Sequence, residues 1–130
     1  MMTIKVELAY GELLDKITIL QIKSERIADE NKLSNVNKEL SLLNDLWALD
    51  KKSSVDISEE FSALKVINEK IWDIEDGIRD KERVKEFDQE FVELARSVYF
   101  SNDKRAEIKR TINLKLGSDL IEEKSYADYE

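Results

Sequence analysis

The first hydrophobic positions of the chain alternate with polar ones. Ile4, Val6 and Leu8 fall on one side of residues 3–10 if this segment is extended. A two-residue period of this kind is typical of a short, half-buried β-strand. Because a lone strand leaves its backbone groups unpaired, it needs a partner strand. The candidate partners are residues 54–58 of the same chain and the same segment of a second subunit, and the sequence does not choose between them.

From residue 11 onward the hydrophobic positions recur at the spacing of three and four residues that is typical of helices. They predict a first helix over residues 11–28 and a second over residues 32–49. A third, long helix opens at a capping box formed by Asp56 and Glu59, and it continues to about residue 85.

The last third of the chain carries further helix boundaries. Asp88 is predicted to cap a fourth helix, and Asn102 or Asp103 to cap a fifth. Gly117 is the predicted C-terminal cap of that fifth helix. Residues 118–130 start like one more helical turn and are expected to end as a tail.

The first helix has apolar side chains on two sides. Leu13 and Ile17 share one side with other apolar residues, whereas Ile19 and Ile22 lie nearly opposite. Such a helix is either central in its own bundle or shared with a partner chain, so Ile19 and Ile22 are candidate interface residues. The predicted fold is a mainly α bundle of four to five helices with a short N-terminal β-strand, in one domain over residues 1–130 and assembled as a homo-oligomer.

Composition then narrows the possible functions. The 130 residues include no histidine and no cysteine, which excludes thiolate and imidazole metal sites and the nucleophilic mechanisms that need an imidazole base. A formal net charge of −8 without a basic block argues against nucleic-acid binding. No apolar run is long enough to span a bilayer, and the first residues lack the pattern of a signal peptide. We therefore expect a cytoplasmic protein with neither a nucleic acid nor a membrane as its partner.

An acidic stripe runs along the predicted third helix. Glu69, Asp73, Asp76 and Asp80 are spaced by four, three and four residues, which places them on one face. Together with Glu12 and Asp15 of the first helix, Glu69, Asp73 and Asp76 are the candidate ligands of a Mg²⁺ ion. The helical wheel places the stripe opposite the apolar face, so a solvated surface is the favoured interpretation unless a second subunit covers it.

Polar residues also border the predicted apolar stripes. This set comprises Asn68, Trp72, Glu75 and Arg79 in the third helix and Arg105 and Lys109 in the fifth. Polar groups aligned with a core must find partners or serve a site. The favoured interpretation is an ion-pair network that fixes the helix register, with Glu12 or Asp15 as acceptors. The functional alternative is an anion-binding pocket, in which Arg79, Arg105 and Lys109 donate and Glu75 orients.

Several blocks of the chain resemble one protein family. Residues 11–20 read GELLDKITIL, residues 68–76 read NEKIWDIED, and residues 93–99 read ELARSVY. Nearly the whole chain is similar to an uncharacterised family of small, mainly helical bacterial and phage proteins. The resemblance implies no particular activity. It implies only a loose association with surface-polysaccharide genes or phage genomes, by gene neighbourhood.

These observations favour a non-enzymatic, oligomeric binding or assembly protein without a cofactor, whose partners are copies of itself and possible further proteins. The alternative is a Mg²⁺-dependent phosphohydrolase that acts on a nucleotide or sugar nucleotide. That enzyme would use the carboxylates of Glu12, Asp15, Glu69, Asp73 and Asp76.

Overall fold

The computed structural model describes residues 2–129 and confirms a mainly helical fold. Its described part consists of four α-helices and one short 3₁₀ turn. In chain order these are α1 (Tyr10–Arg26), α2 (Glu30–Leu49), the 3₁₀ turn (Lys51–Ser54), α3 (Ser58–Arg83) and α4 (Gln89–Leu116). None of these helices combines the length and the apolar character needed to cross a membrane.

Helix α1 lies at the centre of the bundle, in contact with α2, α3 and α4. This position explains why α1 carries apolar side chains on two sides. The core is built around Leu14 and Ile17 of α1, Leu64 of α3, and Ile112 and Leu116 of α4, all of which are fully buried. Helix α2 packs mainly on α1 and has only one buried residue of its own.

Helices α3 and α4 form an antiparallel hairpin. Lys115 near the end of α4 contacts Glu60 near the start of α3, and Leu94 of α4 lies against Gly77 of α3. At about 1.5 Å per residue each helix is roughly 40 Å long. All side chains of residues 82–90 are exposed, so the closed end of this hairpin projects as an arm.

The predicted N-terminal strand is absent, because residues 2–129 contain no β-strand. Residues 54–58, one candidate partner, run instead from the end of the 3₁₀ turn through a short connection to the start of α3. Residues 2–9 therefore find no second strand among the residues that the structure describes. Ile4 and Val6 are 87% and 66% exposed.

The predicted fourth and fifth helices are one continuous helix, α4. The prediction that Asn102 or Asp103 caps a new helix is wrong, since no glycine or proline interrupts the chain here. Packing against α1 and α3 continues through buried Ser101. Asp103 instead accepts a hydrogen bond from the hydroxyl of Tyr129 at 2.5 Å. Asn and Asp can cap a helix, but they do so only where the backbone also departs from the helical conformation.

Two other predicted caps are confirmed. The carboxylate of Asp88 accepts a hydrogen bond from the backbone N–H of Phe91 at 3.0 Å, at the start of α4. Gly117 adopts the left-handed conformation, with φ of 66°, at the end of α4. The capping box predicted from Asp56 and Glu59 is wrong: Ile57 occupies the N-cap position of α3, so Asp56 lies one residue too early and accepts from the N–H of Ser58 at 3.0 Å instead.

Lys81 and Asp88 hold the turn between α3 and α4. The ammonium group of Lys81 lies 3.0 Å from the carboxylates of both Glu86 and Asp88, and these contacts raise the pKa of Lys81. The Phe91 N–H and then Lys81 lower the pKa of Asp88 below its ordinary value of 3.8. A lowered carboxyl pKa stabilises the folded protein above the unfolded-state pKa, and this contribution is lost as the pH falls through the folded-state value.

We expect Asp88→Ala to lower the melting temperature at pH 7, because the substitution removes both the cap and the ion pair. Asp88→Asn keeps an oxygen acceptor for the N–H of Phe91, so it should lower the melting temperature by less. Thermal unfolding between pH 7 and pH 2 tests the electrostatic part. The difference between wild type and Asp88→Asn should shrink below pH 3.8. A difference that persists unchanged at low pH would contradict this account.

Candidate functional site

A buried carboxylate lies where α1, α3 and α4 meet. Asp15 of α1 is 1% exposed. Arg105 of α4 grips it with two nitrogens, since Nε donates to Oδ1 at 2.9 Å and Nη2 donates to Oδ2. Asn68 of α3 also donates to Oδ1, at 2.9 Å. The bidentate geometry makes this a strong, charge-assisted contact between α1 and α4.

Thr18 completes the hydrogen bonding around Asp15. The side-chain amide of Asn68 donates to the Thr18 hydroxyl at 2.9 Å, and that hydroxyl donates to the backbone oxygen of Asp15 at 2.8 Å. Thr18 is fully buried. The side-chain hydrogen bond to Asp15 raises the pKa of Arg105, so the guanidinium stays charged at every relevant pH. The cluster is a closed network in which the buried charge has its counter-charge.

Lys109 lies one helical turn after Arg105 in α4 and forms a second group of ion pairs. Its ammonium group donates to Glu12 of α1 at 2.7 Å and to Glu122 of the C-terminal tail at 3.2 Å. Burial lowers the pKa of Lys109, but the hydrogen bond with Glu12 and the charges of Glu12 and Asp15 outweigh it, so the pKa is raised. Lys109 thus stays protonated although it is buried.

The backbones of α1 and α4 touch beside this network. The N–H of Gly11 donates to the side-chain oxygen of Asn113 at 2.7 Å. A Cβ atom at residue 11 would lie only 2.5 Å from the backbone oxygen of Lys109. Only glycine fits here, and this approach brings Glu12 and Asp15 within reach of Lys109 and Arg105.

A polar cavity of about 270 Å³ adjoins the network, between α4 and the tail. Its lining residues are Glu12, Asn102, Arg105, Ala106, Lys109, Glu122 and Lys124. The two cations that face it, half-buried Arg105 and buried Lys109, already contact carboxylates of the same chain. An anionic ligand would therefore have to compete with Glu12 and Glu122 for Lys109.

The structure brings together half of the predicted ligand-binding set. Asn68, Arg105 and Lys109 belong to the network described above. Glu75 and Arg79 pair only with each other on the surface of α3, where the Arg79 side chain is 70% exposed.

Trp72 also lies outside the network. It is half-buried, and the guanidinium of Arg26 lies 5.8 Å from its ring centre. A helical wheel shows on which face of the helix a residue lies, but it does not show which neighbouring helix covers that face. It therefore could not distinguish Trp72, Glu75 and Arg79 from Asn68.

The five candidate Mg²⁺ ligands do not converge. Glu12 and Asp15 contact Lys109 and Arg105, whereas Asp73 accepts a hydrogen bond from Arg26 at 2.6 Å. The described residues contain no group of three or more acidic side chains arranged to hold a metal ion.

The predicted interface residues differ in exposure. Ile22 is 1% exposed within the single chain, and Ile19 is half-buried. The chain's own bundle therefore covers Ile22, and only Ile19 offers surface to a partner.

Three residues of the site, Thr18, Gly11 and Glu122, were not predicted from the sequence. Thr18 interrupts an isoleucine-rich stretch three residues after Asp15, and this spacing is a signal that could have found it. Gly11 stands at a helix start, where a glycine is unremarkable. Glu122 lies in a tail without periodicity, so no pattern could pair it with Lys109.

Comparison with known proteins gives one match. The model of a family described as "Family of unknown function (DUF6165)" matches residues 4–129. No curated protein and no solved structure matches the chain. The match covers nearly the whole sequence and confirms the resemblance to an uncharacterised family.

We expect Asp15→Ala to reduce the free energy of unfolding by about 3 kcal/mol or more, because Arg105 loses its partner and Asn68 an acceptor. Combining it with Arg105→Met should cost less than the sum of the two single changes. Chemical denaturation of the three variants measures this coupling. The exposed pair supplies the control, since Arg79→Met should leave stability within experimental error. Strict additivity would contradict the buried network.

A second prediction concerns the contact between α1 and α4. Gly11→Ala should destabilise the fold by about 1–3 kcal/mol, because its Cβ collides with backbone that cannot move aside cheaply. Gly77→Ala is the matched control, since its Cβ would lie 3.3 Å from a side-chain carbon of Leu94. The gain in helix propensity, about 1 kcal/mol, offsets that tighter contact. Equal unfolding free energies for the two variants would refute the close approach.

Proposed function

The chain belongs to the family of unknown function DUF6165, and we propose that it is a non-enzymatic protein that self-associates and serves binding or assembly. The observation that carries the proposal is a contrast between the interior and the surface. The buried charges are matched within the chain, whereas patterned apolar side chains are left exposed. Such exposed apolar surface is characteristic of protein–protein contacts.

The closed network argues against a reactive or ligand-binding role for its charged groups. Asp15 is held by Arg105 and Asn68, and Lys109 is held by Glu12 and Glu122. A general base or an anion-binding cation needs an unengaged atom directed at the substrate. Fixing the packing of α1, α3 and α4 is the role that this geometry supports.

Three surfaces carry many of the exposed apolar side chains. The first is residues 2–8, and the second is the outer side of α2. The third is the arm formed by the α3–α4 hairpin. The exposed residues are Met2, Ile4, Val6 and Leu8 in the first, Leu42, Leu46 and Leu49 in the second, and Val84, Phe87 and Val92 in the third. The α2 residues are spaced by four and three positions, so they form one stripe.

The remaining parts of the proposal rest on the sequence. The family resemblance adds an association with surface-polysaccharide machinery or phage genomes, by gene neighbourhood alone. A cytoplasmic location is also part of the proposal. The phosphohydrolase alternative has less support, because its carboxylates lie apart or in ion pairs.

We expect the intact chain to sediment as a multiple of its 15.2 kDa protomer mass at micromolar concentration. Asp73→Asn and Asp76→Asn should change neither this mass nor the unfolding temperature appreciably. Sedimentation velocity over a dilution series provides the measurement. Ile22→Asp is unsuitable as a test because Ile22 is buried, whereas Ile19→Asp probes the half-exposed side of α1.

Two results would contradict this function. One is a protomer mass at every concentration. The other is a rise in unfolding temperature that requires both Mg²⁺ and a nucleotide, since ligand binding stabilises the folded state. That second result would restore the hydrolase, and Asp73→Asn would then abolish the shift.

A further inference from the structure

Residues 4–8 have a self-complementary sequence. Ile4, Lys5, Val6, Glu7 and Leu8 read as apolar, positive, apolar, negative, apolar, and the reversed order interchanges only the two charges. We propose that two copies of the chain pair these segments as an antiparallel two-stranded ribbon centred on Val6. The inference rests on the proposed self-association and specifies its surface and its partner, a second copy of this chain.

The register follows from the sequence. With Val6 opposite Val6 of the partner subunit, Ile4 lies opposite the partner's Leu8. Lys5 then lies opposite the partner's Glu7, and two-fold symmetry repeats each pair. All apolar side chains fall on one face of the ribbon and both charge pairs on the other.

Other pairings are less favourable. A parallel, in-register pair would place Lys5 against the partner's Lys5 and Glu7 against the partner's Glu7. Like charges directly opposite each other destabilise a sheet. A shift by one residue would turn the apolar side chains of one strand to the charged face of the ribbon. The antiparallel register centred on Val6 satisfies both the charges and the apolar face.

Residues 4–8 are not paired with any other segment among the described residues. No hydrogen bond within the described residues involves residues 3–8. The segment has exposed apolar residues at alternate positions and unpaired backbone donors and acceptors. This combination favours pairing with a strand of another chain. Ala9, where the segment joins α1, already has extended backbone angles of −62° and 148°.

The bundle offers apolar surface near the base of the ribbon. The ring of Tyr10 packs edge-on against Trp47 at 6.0 Å, so the segment leaves the bundle where α2 ends. Leu46 and Leu49 are exposed at this end of α2, and Leu49 is 87% exposed. A two-stranded ribbon is marginal on its own in water and needs a surface against which its apolar face can pack. The ends of the two α2 helices supply that surface.

Cysteine cross-linking tests the register directly, because the chain has no cysteine of its own. Opposite residues of an antiparallel pair have Cα atoms about 4.5–5.5 Å apart, which suits a disulfide. Val6→Cys should therefore oxidise to a covalent dimer on a non-reducing gel. Ile4→Cys is the matched control on the same face. The Cα atoms of its two copies would lie about 14 Å apart, so this variant should stay largely uncross-linked.

Charge exchange provides a second test. Lys5→Glu makes both charged positions acidic and Glu7→Lys makes both basic, so each variant alone should lose self-association. An equal mixture of the two variants should recover it as a heterodimer, because every cross-strand pair is then of opposite charge. The double variant Lys5→Glu/Glu7→Lys should also recover it. Sedimentation at low ionic strength measures all four samples.

The outcomes separate this inference from the function on which it rests. A wild-type chain that is monomeric throughout overturns both. A wild-type oligomer in which Val6→Cys cross-links no better than Ile4→Cys overturns the ribbon and leaves self-association standing. The ribbon is likewise overturned if Lys5→Glu alone sediments like an oligomeric wild type. Selective Val6→Cys cross-linking together with recovery on mixing supports the ribbon.

Discussion

The ion pair between Asp15 and Arg105 is the interaction on which the rest of the bundle depends. A carboxylate that is 1% exposed is tolerated only when a counter-charge and further donors surround it. Arg105 supplies the charge from α4 and Asn68 supplies a donor from α3. These three positions must therefore meet in any folded form, and this requirement fixes how far each helix can slide along its neighbours. The apolar core alone would specify that register less strictly.

The neighbouring contacts repeat the same register along α1 and α4. Glu12 precedes Asp15 by one turn and Lys109 follows Arg105 by one turn, so the second ion pair forms wherever the first one does. Gly11 allows the two backbones to approach closely enough for both. The ion pairs thus set the register of the helices, whereas the apolar stripes supply most of the buried surface.

The helices were predictable because the spacing of apolar positions within a segment is visible without knowledge of its tertiary contacts. The caps at Asp88 and Gly117 were predictable for the same reason. The unbroken course of α4 through Asn102 was not, because packing against other helices decides whether a capping residue type ends a helix. The wheel likewise identified Asn68 and Glu75 together, but only Asn68 meets α1. Glu122 lay beyond prediction because a tail without periodicity gives no indication of the surface on which it docks.

Helix α2 stands apart from this system of contacts. It packs mainly on α1, contributes buried Val36 and partly buried Leu40, Leu43 and Trp47, and takes no part in the buried ion pairs. Its detachment therefore does not require the central charges to separate. A partial opening that frees α2 would therefore cost less than global unfolding, because the three-helix unit of α1, α3 and α4 would stay intact. In such an opening the amide hydrogens of α2 would exchange with solvent before those of α1.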